Sequence, residues 1–211
     1  MADSWLNLGS LATRFEERPN WITPAKTSTT INSELLRYFP SAVDITELNI
    51  NGSALAFEYG FENMKRKQAY TVLDFFGGRV GRLMRFWVPV WTNMFTLYAN
   101  ITNGDNNIKI NSVLFSSTAI TTYQRIFIYT KAGDSISRRC ATVADGVGYE
   151  QLNLASNMDR DLTQGDIEIF SVLALARLDI DTLEMVHQSS DICSTVLRFV
   201  ELVGEYNNVG I

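Results

Sequence analysis

A succession of short apolar segments separated by turn residues fills the chain from residue 83 onward, and this pattern constrains the fold most. The segments are rich in aromatic and β-branched residues, as strands are. They cover residues 83–91, 94–101, 107–111, 124–129, 136–143, 166–171, 173–178, 182–187 and 195–203. Glycine, asparagine and aspartate at 103–106 and 131–134 suit tight hairpin turns. The pattern predicts an antiparallel β-sandwich or barrel.

One principal helix is predicted before these strands. Within residues 61–76, apolar side chains recur at spacings of three and four. They are Phe61, Met64, Tyr70, Leu73 and Phe76. Gly77 and Gly78 come directly afterwards and are expected to end the helix. With a further strand predicted over 53–61, the fold class is mainly β with one helix.

The N-terminal residues 1–44 are predicted to form an irregular arm. Prolines interrupt this stretch, and large apolar residues in it, among them Trp21, predict that it is anchored on its own domain or on a neighbour. Residues 45–211 are predicted to form the β-rich domain. Within it, residues 101–157 are either an inserted subdomain or further strands of the same sheet.

Charge and composition exclude several classes of protein. The formal net charge of -5 disfavours nucleic-acid binding, which requires a basic face. The two cysteines, Cys140 and Cys193, lack metal-ligand spacing, so buried thiols in a reducing cytoplasm are expected. Apolar runs stay short of the roughly 18 residues of a membrane span, and we expect a soluble protein without membrane insertion.

Residue patterns that could carry catalysis are incomplete in this sequence. His187 is the sole histidine, so a catalytic triad would have to use it. Asp159 and Asp161 could form an acid and base pair, but such spacing is common in turns between strands. Residues 103–107 resemble a calcium loop only loosely, and the glycines at 77–81 lack the order of a phosphate loop. We therefore expect no catalytic residue, metal or cofactor.

The strand predicted over 83–91 carries an unusual mixture of side chains. Its even positions are apolar and are predicted to face the core. Its odd positions include Arg85, Trp87, Pro89 and Trp91, a mixture that subunit interfaces favour. The alternative is that both tryptophans complete a second layer of the protein's own core.

The same residues carry a resemblance to a family of tail proteins from long-tailed bacteriophages. In that family a helix and an Arg-Gly-Arg-like turn lead into a Phe-Trp-x-Pro-x-Trp strand. The matching residues here are Gly81, Arg82, Phe86, Trp87, Pro89 and Trp91. The C-terminal segments also match at Arg177, Leu178, Asp181, Leu183, Glu184 and 199–202, and the N-terminal Pro-x-Trp-x-x-Pro pattern matches at Pro19, Trp21 and Pro24.

This resemblance, which covers most of residues 54–205, implies a structural virion protein made in the host cytoplasm. It would form a homo-oligomeric ring at the distal end of the tail, between the tail-tube, tape-measure and tip or baseplate proteins. The candidate residues for the subunit interface are Trp21, Arg82, Arg85, Trp87 and Trp91. Two alternatives are a carbohydrate-binding β-sandwich and a small hydrolase of the host envelope that uses Asp159, Asp161 or His187.

Overall fold

The computed structural model describes part of the chain as a set of strands and one helix. The described residues are 14–15, 17–20, 26–30, 33–37, 44–48, 54–79, 84–115 and 125–202. The strands are β1 (Lys26–Thr30), β2 (Ser33–Arg37), β3 (Asp44–Leu48), β4 (Ala54–Lys65), β5 (Arg85–Pro89), β6 (Asn107–Asn111), β7 (Arg125–Thr130), β8 (Ser135–Asp145), β9 (Tyr149–Leu154), β10 (Ile167–Leu178), β11 (Val186–His187) and β12 (Ile192–Glu201). The helix is α1 (Arg66–Arg79). The predicted class, mainly β and antiparallel with one principal helix, is confirmed.

The chain divides into two compact units. The first unit comprises residues up to Trp87 together with those from Leu175 onward, and the second unit is Val88–Ala174. Both boundaries fall inside strands, so β5 and β10 each run through the two units. The stretch 101–157 lies wholly within the second unit. The expected boundary at residue 44 coincides with neither edge and stays a prediction.

The first unit is built around the long strand β4. It pairs antiparallel with β1 on one side and with β12 on the other, and β12 pairs in turn with the end of β10 and with β11. Strands β2 and β3 form a separate hairpin. The N-terminal arm is thus less irregular than expected, because β1 is held by ladder hydrogen bonds to β4. Such long-range pairing leaves no mark in the local sequence of the arm.

An aromatic cluster forms the core of the first unit. Phe199 lies at its centre, with ring centroids 5.9 Å from Phe15, 5.5 Å from Tyr59 and 5.7 Å from Phe86. These four rings are 0–2% exposed. Because β12 alternates inward and outward residues, one face of the strand supplies Phe199 to the core and the other meets solvent.

The second unit is an antiparallel meander of β7, β8 and β9, with β10 and β6 paired at its two edges. Its strand order is β10, β7, β8, β9 and β6. The predicted turn at 131–134 is confirmed, with Gly133 at a φ of 91° between β7 and β8. Its core contains apolar side chains from every one of these strands, including Ile108, Ile110, Ile126, Ile128, Ile136, Leu152 and Phe170, and Phe95 packs with them.

The segment 90–98 lies between the two ends of that meander. The backbone N–H of Val90 donates to the carbonyl of Val172 on β10 at 3.1 Å. Further along, the N–H of Tyr98 donates to the carbonyl of Lys109 on β6 at 2.9 Å. Regular pairing of the described strands does not close the sheet. These two hydrogen bonds join the segment to β10 at one end and to β6 at the other.

The helix differs from its prediction at both ends. Residues 61–65 belong to β4, because this stretch continues its ladder with β12 as far as Lys65. Phe61 and Met64 are therefore buried as strand residues, while Tyr70 and Leu73 are 57% and 39% exposed. The buried residues of α1 are the small Ala69 and Val72. The predicted buried face of the helix is therefore wrong. The spacing on which it was based combined residues of strand β4 with residues of helix α1.

Gly77 and Gly78 lie inside α1 and do not end it, contrary to expectation. A Cβ atom built on Gly78 would meet nothing within 4 Å. Gly78→Ala is therefore expected to raise the free energy of unfolding by about 0.5–1 kcal/mol, because alanine loses less backbone entropy on folding. The measurement is the urea midpoint.

Gly148 provides the matched control for this substitution. It is equally free of neighbours but has a φ of +80°, so Gly148→Ala should lower the free energy of unfolding by about 1 kcal/mol. A lower urea midpoint for Gly78→Ala than for the wild type would contradict the helical conformation at that position.

Candidate functional site

The tryptophan strand does not form an exposed face. Trp87 is 3% exposed and Trp91 is 2% exposed within a single chain. Arg85 is half-buried, and Pro89 is buried, as is Val88 before it. Both tryptophans are thus buried within the single chain, as the alternative of a second core layer expects, and a contact with another subunit stays a prediction.

A different part of the fold covers each tryptophan. In the first unit, the carbonyl of Trp87 accepts a hydrogen bond from the backbone N–H of Phe15 at 2.9 Å, so the N-terminal segment covers this strand. In the second unit, the ring of Trp91 lies edge-on to Phe127 and Tyr129, with centroids 5.3 Å and 5.5 Å away. Alternation along one strand could not reveal this, because burial depends on what packs above each face.

Two interface candidates, Trp21 and Arg82, lie outside the described residues. The structure therefore places neither of them. The carbohydrate-binding alternative relied on exposed tryptophans along the strand, and Trp87 and Trp91 do not supply that platform.

The candidate acid pair holds loops in place. The carboxylate of Asp159 forms ion pairs with Arg138 at 3.2 Å and Arg160 at 3.4 Å. Although burial works against ionisation, these two guanidinium groups lower the pKa of Asp159. A general acid would need a raised pKa. Asp161 accepts a hydrogen bond from the backbone N–H of Asn103 at 2.7 Å.

His187 lies on β11, beside Ser190 and Asp191 in a small groove of the first unit. A triad requires hydrogen bonds between such groups. In the described part of the chain, the His187 side chain donates or accepts none with Ser190 or Asp191. Asp191 instead forms a 3.9 Å ion pair with Arg66, and both side chains are well exposed. The arrangement thus lacks an oriented base.

The loop that loosely resembles a calcium site is a closed turn. The carboxylate of Asp105 accepts a hydrogen bond from the backbone N–H of Thr102 at 2.7 Å, and Gly104 has a φ of 92°. The carboxylate thus stabilises its own turn, as aspartate commonly does. Among the described residues, histidine, cysteine and acidic side chains form no group of three that could hold a metal ion.

The features that sequence reasoning missed are two exposed apolar patches. The first, which we call the α1 groove, is a depression of about 130 Å³ in the first unit, between α1 and the β11–β12 hairpin. Tyr70, Leu73 and Ile192 are its exposed apolar residues, and Ala69 and Cys193 are its buried ones. The signal for it was Tyr70 and Leu73 on the helix, which periodicity had assigned to the core.

The second patch, which we call the hairpin tip, is residues 146–148 between β8 and β9 of the second unit. Val147 is 95% exposed there. Val113 and Leu114 are also exposed and lie at the same end of the unit, since β6 ends at Asn111 opposite Tyr149. The Gly-Val-Gly sequence signals a turn, but only the structure shows that its valine is exposed and that none of the described residues covers it.

Burial of Cys140 is expected to make the stability of the second unit depend on pH. Burial raises the pKa of the Cys140 thiol from its ordinary 9.0 to about 11. Between these two values the unfolded chain releases a proton that the folded chain keeps. The free energy of unfolding is therefore expected to fall as pH rises through this window, by up to about 1.4 kcal/mol per pH unit.

Urea unfolding between pH 8 and pH 10.5 measures this slope, with Cys140→Ala as the comparison. The variant should lose stability less steeply than the wild type, since it has no thiol at this position. Identical slopes would show that Cys140 ionises equally in both states.

Comparison with models of known protein families and with curated protein sequences gives no match for this chain. In the described residues, no helix has the length and apolar character needed to cross a membrane.

Proposed function

We propose that this protein is a structural subunit that associates head to tail with copies of itself into a ring at the distal end of a bacteriophage tail. The observation that carries this proposal is the presence of two unlike apolar patches, one in each unit. A head-to-tail interface uses two different patches on every subunit. Apolar side chains left uncovered in a group commonly mark contact sites.

The place in the virion follows from the resemblance of the Gly-Arg turn and the Phe-Trp-x-Pro-x-Trp strand to tail proteins. The ring would join the tail tube to the tip or baseplate and contact the tape-measure protein. The burial of Trp87 and Trp91 is compatible with this function, because it assigns the motif to the fold of each subunit and leaves association to other surfaces.

Electron microscopy of the purified chain, together with sedimentation at several concentrations, tests the proposal. Closed rings with one copy number are expected, and their fraction should grow with concentration. A chain that sediments as a monomer at every concentration would overturn the proposal.

A further inference from the structure

We infer that the buried carboxylate of Glu150 fixes the segment 112–115 in a strained conformation at neutral pH and releases it in acid. This segment follows β6 in the second unit and carries the exposed apolar residues Val113 and Leu114. The apolar surface at this end of the unit would then change with pH. The inference concerns one unit of a single chain, so it is independent of the proposed ring.

Glu150 is fully buried although its side chain is acidic. It lies on β9 and is 0% exposed. One of its carboxylate oxygens accepts a hydrogen bond from the backbone N–H of Val113 at 2.8 Å. Acidic side chains are almost never fully buried without a partner, and a donor of this kind stabilises the charged form. The carboxylate therefore joins β9 to the segment 112–115.

The next residue, Leu114, has a strained backbone. Its φ is 61°, in the left-handed region that a leucine disfavours. Its side chain is 70% exposed, so its own packing does not impose this conformation. Contacts on both sides do: Val113 before it is bonded to Glu150, and Phe115 after it is buried edge-on to Phe95, with ring centroids 5.1 Å apart. Strain of this kind persists only while the surrounding contacts hold it.

Acid weakens the first of these contacts because protonation removes the charge of the carboxylate. A hydrogen bond to an ionised acceptor is roughly twice as strong as one to a neutral acceptor. Burial of Glu150 favours protonation, and so does the negative charge of Asp145, which lies directly opposite on β8. The segment itself has no ionisable side chain. The contact is thus strongest at neutral pH and weakens as pH falls, and the strain at Leu114 then favours release.

The other ionisable side chains on the two strands beside β9 do not face Glu150. Lys109 of β6 is on the opposite side of the sheet, where its amino group lies 5.0 Å from the centre of the Tyr149 ring. Arg138 and Cys140 of β8 share the side of Glu150 but lie further along the strand, beyond the register shift that follows Cys140. Asp145 is therefore the charged neighbour that counts in this part of the described chain.

Hydrogen exchange at the Val113 amide tests the inference. The quantity to compare is the protection factor, which is the exchange rate of an unstructured peptide at the same pH divided by the observed rate. Between about pH 7 and pH 4 this factor should fall roughly tenfold in the wild type, the difference between a charged and a neutral acceptor. The N–H of Ile101, bonded to the carbonyl of Leu162 at 2.9 Å in the same unit, should keep its protection.

Two variants separate the charge of Glu150 from its shape. Glu150→Gln is neutral at every pH, so its Val113 amide should be roughly tenfold less protected than in the wild type at neutral pH, with no further fall in acid. Asp145→Asn keeps the carboxylate of Glu150 but removes the like charge opposite it. In this variant the fall in protection should remain and should move to lower pH.

The inference is overturned if protection of Val113 in the wild type does not change with pH, or if it falls equally in Glu150→Gln. A parallel loss at Ile101 would also overturn it, since the whole unit would then be unfolding. If Glu150→Gln does not fold, Leu114→Gly replaces it. Glycine removes the strain, so the Val113 amide should stay protected to lower pH than in the wild type. Release at the same or a higher pH would contradict the role of the strain.

Discussion

Replacement of Trp91 with alanine is expected to lower the free energy of unfolding by about 3–5 kcal/mol, the range typical of a deleted core aromatic. Trp91 is 2% exposed and lies edge-on to two aromatic rings of β7, Phe127 and Tyr129. Its removal would leave a cavity over that face of the sheet and expose apolar surface that is now dry. Urea unfolding followed by far-UV circular dichroism measures the loss.

A control substitution tests whether the stability lost in Trp91→Ala comes from the burial of Trp91 in the core. Met94 lies in the same segment and is 41% exposed, so Met94→Ala should change the free energy of unfolding by less than about 0.5–1 kcal/mol. The interface hypothesis for Trp91 makes the opposite prediction. Under it, Trp91→Ala would keep the wild-type urea midpoint and lose self-association.

Phe199→Ala is expected to have a comparable effect on the first unit, also about 3–5 kcal/mol. Phe199 is fully buried and touches aromatic rings from the N-terminal segment, β4 and β5. Removing this ring therefore removes packing contacts with all three of these elements. The free energy of unfolding from urea titration is again the measurement.

Val196→Ala is the control on the same strand. Val196 is on the solvent-facing side of β12, where the loss of two methyl groups should cost well under 1 kcal/mol. If both variants lose the same stability, the alternation of β12 assigned by the structure is wrong. If Phe199→Ala unfolds on expression, Phe199→Leu provides a milder variant, expected to lose less.

The position of most strands could be predicted from the sequence because strand and turn signals are local. The hairpin between β7 and β8 follows from apolar alternation on either side of a glycine turn, and the structure confirms it. The long strand β10 was predicted as two pieces, since its centre is buried on both faces and shows no alternation. Local signals therefore located the strands better than they fixed their lengths.

The exposed patches could not be predicted in the same way. Tyr70 and Leu73 have the spacing of a buried helical face, and the glycines on either side of Val147 indicate only a turn. Their exposure depends on which elements the fold places beside them, and no residue near them in sequence carries that information. The burial of Trp87 and Trp91 could not be predicted from the strand for the same reason.

The sequence by itself determined the fold class of this protein, which is short β segments with turn residues between them and one helix, and its net charge of -5. Hydrophobic periodicity and turn preferences depend on residues close together in the chain, so strands and turns can be predicted from the sequence alone. Only the tertiary structure decided that both faces of β5 are covered, while one side of α1 and the tip at Val147 are left open. Burial is a property of neighbours in space, and contacts between residues distant in the chain set it.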